Sequence, residues 1–347
     1  MRVLLIGQQT LYPWTAYTAR ALNRLGQEVH PFLETDLFLD GITVRKGRRV
    51  ASAVPGLVPL LDRWRDGWYR RRDRRLLQAA GSLKPDLLIV LSGSSFSAEF
   101  LRRLKGEARC PMVTWWVDDP FRYPVDRIFG LYDTFFIFDR SYEERLRREG
   151  AADVRFLPCA CDETRYAPQT LRPDERARYG SEIALVSWYC ETRLETVSAL
   201  AQFDLKIWGR GWRRPDVLQA LNGRHRSILQ PERFVPDREA AKIFSAAQIG
   251  LNIHSGQSHL GGLNARTFDL LAAGSFQMVD ALPGMEELLE PGKEVAVYRS
   301  PREAADLARH YLKHPQERSA IAERGRRRTL AQHTYLHRIR SILQVAA

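Results

Sequence analysis

Residues 251–280, LNIHSGQSHLGGLNARTFDLLAAGSFQMVD, constrain the fold more than any other stretch, because they read as strand, glycine turn, helix and strand in succession. The apolar run at 249–253 has strand length, and Gly261 and Gly262 mark a tight turn after it. Asn264 is suited to cap the next helix, since its side-chain oxygen accepts from a backbone N–H that the helix itself leaves unpaired. Phe268, Leu271 and Ala272 recur at helical spacing, and Gly274 is placed to end the helix. Residues 275–279 then return as a strand, so the stretch is a βαβ unit and the chain around it is expected to be α/β.

A glycine turn feeding a helix N-terminus offers unpaired N–H groups and the positive end of a dipole, which suits a phosphate. Arg266 and Asp269 stand three apart on one helix face, as a guanidinium for a diphosphate and a carboxylate for a ribose diol. Two readings fit these residues: a nucleotide site, or an ordinary βαβ unit in which the two only pair with each other. The turn is no dinucleotide fingerprint, since GGLNA lacks the third glycine at its spacing.

The segments GLNARTFDLLAAG, EPGKEVAVYRS and HTYLHRIRSIL resemble the C-terminal half of glycosyltransferases of the spore-maturation CgeB type, which belong to the two-domain GT-B class. The resemblance is strong over residues 183–345 and weaker over 1–160, apart from the WWVDDPF loop. It implies a GT-B α/β fold, two Rossmann-like domains facing a cleft. The acceptor-side domain would span 1–160 and the nucleotide-sugar domain 161–330, with a last helix at 331–347 crossing back to the first domain. The implied activity is hexosyl transfer from a nucleotide-diphosphate sugar to a hydroxyl, in cell-envelope, spore-surface or other glycoconjugate synthesis. Asp269 aligns with the family carboxylate that holds the ribose. Related retaining enzymes carry a glutamate eight residues earlier, where this chain has Gly261.

With 347 residues there is room for two α/β domains, and 44% hydrophobic with 27% charged residues is the balance of a globular protein. The net charge of +12 favours an acidic partner: nucleoside diphosphate, phosphorylated glycan, anionic lipid surface or nucleic acid. MRVLLIG is too short for a signal-peptide core and reads as a first strand; no apolar run approaches the ~20 residues that span a bilayer. Cys110, Cys159, Cys161 and Cys190 lack paired metal-ligand spacing. A metal-free site and a reducing cytoplasm are therefore expected, with the donor sugar as substrate and no resident cofactor.

In chain order, residues 3–6 form a strand followed by a loop in which Gln8, Thr10 and Tyr12 are candidate acceptor contacts or plain loop residues. Residues 57–77 read as a helix with Leu57, Leu60, Leu61, Trp64 and Trp68 on one face and arginines, Arg72 among them, crowding the rest. That pattern fits either a solvated basic face or a peripheral contact with an anionic membrane at the inner surface. The strand at 112–116 ends in Asp118-Asp119-Pro120, carboxylates suited to general-base work at an acceptor or to turn chemistry. Asp118 falls nearest the position where related GT-B enzymes often carry a catalytic histidine, and Ser141 is placed to cap a later helix.

Residues 154–168 resemble the interdomain connection of GT-B enzymes. In the second half, Arg193 follows the strand at 183–188, and CgeB-like proteins are similar here, with an arginine on the first turn of a helix. Arg210 lies between Gly209 and Gly211 after the strand at 205–208, a spacing that lets an anion approach the backbone. Asp237 is placed to cap a helix, and residues 316–345 read as helical throughout. The donor set is thus Arg193, Arg210, His254, Gly262, Asn264, Arg266 and Asp269. Two further classes fit the charge: a GT-B-derived binding protein without turnover on an anionic membrane or glycan, and a nucleic-acid-binding protein. The second lacks any reading motif.

Overall fold

In the computed structural model, which describes residues 1–8, 13–34, 57–122 and 128–346, the chain forms a six-stranded and a five-stranded sheet. Thr10 and Tyr12 lie outside the described residues, as does the side chain of Gln8. Two compact units result: Met1–Ile137, Tyr142–Leu157 and Ile339–Ala347 make the first, Phe138–Ser141 and Pro158–Arg338 the second.

The first unit runs β1 (Arg2–Gln8), α1 (Trp14–Arg24), β2 (Glu28–Glu34), α2 (Leu57–Leu83), β3 (Leu87–Leu91), α3 (Ala98–Ala108), β4 (Met112–Trp116), β5 (Thr134–Ile137), α4 (Glu143–Arg148) and β6 (Val154–Phe156). Its strands are parallel in the order β2-β1-β3-β4-β5-β6. LLIVL of β3 and MVTWW of β4 are buried at every position, as a sheet covered on both faces requires. Pro31 is tolerated in β2 because that strand lies at the sheet edge.

The side chains of Leu57, Leu60 and Leu61 of α2 lie outside the described residues. Among the described side chains of α2 the buried stripe is Arg72, Leu76 and Ala80, while Trp68 is half-buried and Trp64 is 59% exposed. Arg72 goes inside because it has partners: Asp73 at 2.7 Å, the Ser95 carbonyl at 3.2 Å, and the Phe96 ring at 4.3 Å. Twenty-seven helical residues span about 40 Å, more than twice the about 17 Å of a five-residue strand such as β3. Arg63, Arg70, Arg71, Arg74 and Arg75 are exposed along it.

The second unit runs α5 (Pro173–Tyr179), β7 (Ser181–Val186), α6 (Leu194–Leu200), β8 (Leu205–Trp208), α7 (Pro215–Ala220), α8 (His225–Ile228), α9 (Asp237–Ala246), β9 (Ala247–Asn252), α10 (Ala265–Ala272), β10 (Gln277–Asp280), β11 (Ala296–Tyr298), α11 (Pro301–Lys313) and α12 (Pro315–Gln332); the last helix, α13 (Tyr335–Ala346), starts in this unit and belongs to the first from Ile339 on. Its parallel order is β11-β10-β9-β7-β8. Ile183, Leu185, Leu251 and Met278 of the sheet share a core with Val197 and Leu200 of α6 and with Ala304, Ala308 and Tyr311 of α11.

The helix expected at 316–345 is two helices. Cys161 N–H donates to the His333 carbonyl and Tyr335 N–H to the Cys161 carbonyl, both at 3.1 Å, so the chain is pulled into a bridge between α12 and α13. His333 is buried there, donating from Nε2 to the Leu288 carbonyl at 2.9 Å and accepting at Nδ1 from Arg338 at 2.8 Å. Burial and the Arg338 charge push its pKa down to about 3, so it stays neutral. Asp237 lies within the first turn of α9, after Pro236 at the cap. Among the described residues no helix is long and apolar enough to cross a membrane.

Candidate donor site and catalytic loop

Strand order in the second sheet reverses between β7 and β9, and ligands of doubly wound sheets bind outside the carboxyl ends of the strands at such a reversal. Arg193 lies across it. Its Nη1 donates to the Trp188 carbonyl beyond β7 at 2.5 Å, and its Nε to the Ile253 carbonyl beyond β9 at 3.1 Å. Burial lowers its pKa, yet guanidinium remains charged, and Nη2 has no partner among the described residues.

The loops after β7 and β8 are zipped together. Tyr189 N–H donates to the Arg210 carbonyl at 2.9 Å and Trp212 Nε1 to the Ser187 carbonyl at 2.8 Å. Only glycine fits at 209: its φ is +141°, and a Cβ would sit 2.0 Å from the Ser187 oxygen. Arg210 therefore projects from a closely braced loop, with its side chain exposed.

Asn264 caps α10 as expected, accepting from Thr267 N–H at 3.0 Å, an interaction worth about 1 kcal/mol. It also forms a reciprocal amide pair with Asn252, 3.1 Å in each direction, which closes the loop between β9 and α10. Inside that loop Gly261 N–H goes to the Pro283 carbonyl at 2.7 Å and Leu263 N–H to the Gly261 carbonyl at 2.9 Å. The N–H groups of Gly262 and Asn264 have no protein partner among the described residues. They stand at a helix N-terminus, where an anion is favoured.

Sequence reasoning missed Asp139. This fully buried carboxylate accepts from His259 N–H at 2.6 Å and Leu260 N–H at 3.0 Å through one oxygen. Its other oxygen takes Ser141 N–H and Oγ–H, at 2.9 and 2.6 Å, so Ser141 serves Asp139 and does not cap α4. Arg140 N–H adds a bond to the Leu260 carbonyl at 3.0 Å. Gly262 must be glycine because a Cβ would lie 2.1 Å from Asp139 Oδ2. No local motif signals a partner 120 residues away; the one visible hint was an aspartate just after a strand.

Arg266 and Asp269 do pair, Nη1 to Oδ2 at 3.3 Å, with the guanidinium 5.2 Å from the Phe244 ring. Asp269 is wholly buried, and desolvation lifts its pKa to about 7 while the Arg266 charge pulls the other way. Arg266 and the Tyr166 hydroxyl both contact it, and in this structure the carboxylate is not exposed to solvent. His254 is also buried: its N–H and Nδ1–H both donate to Asp280 Oδ1, at 2.9 and 2.8 Å. Its Nε2 is a buried acceptor with no protein partner among the described residues.

In the first unit Asp119 accepts from Phe121 N–H at 2.8 Å and so builds a turn, while Asp118 accepts from Asp119 N–H at 2.9 Å. Arg122 Nη1 is 4.0 Å from Asp118, whose pKa burial nonetheless raises. A partly desolvated carboxylate with raised proton affinity is suited to act as a base.

Two parallel doubly wound sheets with these loops define an α/β chain of the GT-B class. Sucrose-phosphate synthase from Thermosynechococcus elongatus has this fold, with a TM-score of 0.63 at 14% identity over 99% of this chain and 98% of that one. HepE of Anabaena, solved with UDP-glucose, gives 0.66 at 12% identity over 99% and 98%. Residues 191–344 match the glycosyl transferase-like family. Spore protein CgeB of Bacillus subtilis (strain 168) is 20% identical over 309 residues, covering 82% of this chain and 94% of that protein. The chain thus carries a glycosyl transferase-like region over residues 191–344, resembles spore protein CgeB along most of its length, and has the fold of GT-B glycosyltransferases.

Proposed function

We propose that the second unit binds a uridine-diphosphate sugar at the β7/β9 reversal and that the enzyme passes the sugar to an acceptor hydroxyl. The observation that carries this reading is Arg193, fixed by a carbonyl on each side of the reversal with Nη2 left for a ligand. HepE of Anabaena was solved with UDP-glucose, which favours that donor class. Arg193, Arg210 and the Gly262 and Asn264 N–H groups meet the diphosphate, where negative charge develops as the sugar leaves; Arg266, held by Asp269, adds to the same field. Preorganised donors of this kind do the work of a cation without one.

Acceptor activation falls to Asp118 in the first unit, and Asp119 holds the turn. The exposed arginines of α2 hold the enzyme against an anionic membrane face, where a glycoconjugate acceptor would be met. The four cysteines form no disulfide, which suits work in the cytoplasm. Calorimetry with UDP and a panel of UDP-sugars, followed by assay of sugar release, tests the proposal. Binding in the micromolar range with turnover supports it; no binding to any nucleotide sugar removes it.

A further inference from the structure

A second cluster of ligating side chains lies at the junction of α11 and α12. His310 is in the last turn of α11, His314 is the residue between the helices, and Glu317 is in the first turn of α12. All three are exposed, and one ligand atom from each lies within 4.8 Å of the others. His310 Nε2 is 2.8 Å from Glu317 Oε2. The two imidazoles stack with centroids 4.1 Å apart and planes 21° from parallel.

His314 Nδ1–H donates to the His310 carbonyl at 2.7 Å. That bond fixes the tautomer and leaves Nε2 with its lone pair, the arrangement in which a backbone carbonyl orients a metal-binding histidine. We propose that His310, His314 and Glu317 form a site for a divalent transition-metal ion, best matched by Zn²⁺, that clips α11 to α12. Two imidazoles and a carboxylate make an open tetrahedral zinc site with a fourth position for water. Hard cations such as Mg²⁺ and Ca²⁺ prefer oxygen alone and are excluded by the same donor set.

The ion takes the place of the proton between His310 and Glu317. Ligand bonds of about 2.0–2.1 Å set donor atoms roughly 3.3 Å apart, which widens the His310–Glu317 pair from 2.8 Å and brings the His314 ligand atom in from within 4.8 Å, adjustments open to exposed side chains. Two nearby guanidinium groups are turned to other partners: Arg309 pairs with Asp306 at 2.7 Å, and Arg318 donates to the Tyr311 carbonyl and to Gln248. Nothing in this site draws on the transfer reaction, so the two proposals stand or fall separately.

The test is a Zn²⁺ titration of the chelator-stripped full chain by calorimetry, with a competing chromophoric zinc indicator. One equivalent is expected to bind and to raise the melting temperature, while Mg²⁺ does neither. His310→Ala, His314→Ala and Glu317→Gln should each weaken the site at least about ten-fold, and His310→Ala with His314→Ala should abolish it. Sugar-donor affinity should be unchanged in every variant, which also reports that the fold is intact. Absence of a stoichiometric site up to roughly 100 μM zinc overturns the proposal. So does a double variant that binds as the native chain does, since the ion would then sit elsewhere.

Discussion

Four donors converge on the Asp139 carboxylate, and the loop they hold carries the two N–H groups proposed to meet the donor diphosphate. Removing that carboxylate strands buried donors at about 1–3 kcal/mol each and loosens the loop. We expect Asp139→Asn to raise KM for the donor by roughly ten-fold or more with a smaller change in kcat. A fall in melting temperature with donor affinity unchanged would leave Asp139 a purely structural group. Arg266→Ala removes a charge-assisted contact and should weaken donor binding about ten- to a hundred-fold, read by calorimetry. Asp269 is testable through pH. Its carboxyl has an ordinary pKa of about 3.9 when unfolded and one near 7 when folded, so the folded state binds the proton more tightly. Between those values the native chain loses stability as pH rises, and the cost is complete above the folded pKa. Asp269→Asn should therefore gain in melting temperature relative to the native chain as pH is raised from about 4 to 8. A constant difference across that range would refute the buried, proton-holding carboxyl.

At the scale of elements, short buried strands and the capped helix α10 were legible in the sequence because their signals are local. The strand expected at 112–116 became β4 with the expected bounds, and Asn264 capped as its residue type requires. Helix α2 was legible as a helix, but the inward placement of Arg72 was not. Arg72 faces inward because Asp73 and the carbonyl of Ser95, 23 residues away, meet it there, which no helical periodicity encodes. The break between α12 and α13 was hidden for the same reason, since its cause is a bridge to Cys161. These facings sharpen the test of the basic face. Charge reversal at Arg70, Arg71, Arg74 and Arg75 touches exposed side chains only and should reduce sedimentation with anionic liposomes, while neutral liposomes bind neither protein. Each such arginine near an anionic surface is worth about 1 kcal/mol, so four reversals should cost several hundred-fold or more at low salt. Arg72→Glu is the contrasting variant, expected to destabilise the fold by leaving a buried site unpaired. Negligible sedimentation of the native chain would end the membrane reading and leave a solvated face.

For the molecule as a whole, the proposed reaction draws on both units, with Asp118 in the first and the proposed donor loops in the second. The βα alternation disclosed both sheets, and resemblance disclosed the class; the strand order that makes Arg193 a clasp at a reversal emerges only when β9 pairs with β7 over β8. That division has a kinetic consequence. A group acting on the acceptor alone changes turnover, whereas a group gripping the donor changes donor affinity, so substitutions in the two units should separate the parameters. Asp118→Asn should lower kcat by roughly a hundred- to ten-thousand-fold with donor affinity held, because a positioned general base is worth that much in the transition state. Asp119→Asn should instead act through the turn it builds on Phe121 N–H, with a lower melting temperature and a modest kinetic loss. The raised proton affinity of Asp118 gives a further mark: kcat should fall as acid protonates it, at a higher pH than an ordinary aspartate would show. The Asn variant should lose that acidic limb. Near-native turnover in Asp118→Asn, or an acidic limb that survives it, would move the base to another residue while leaving the donor site of the second unit untouched.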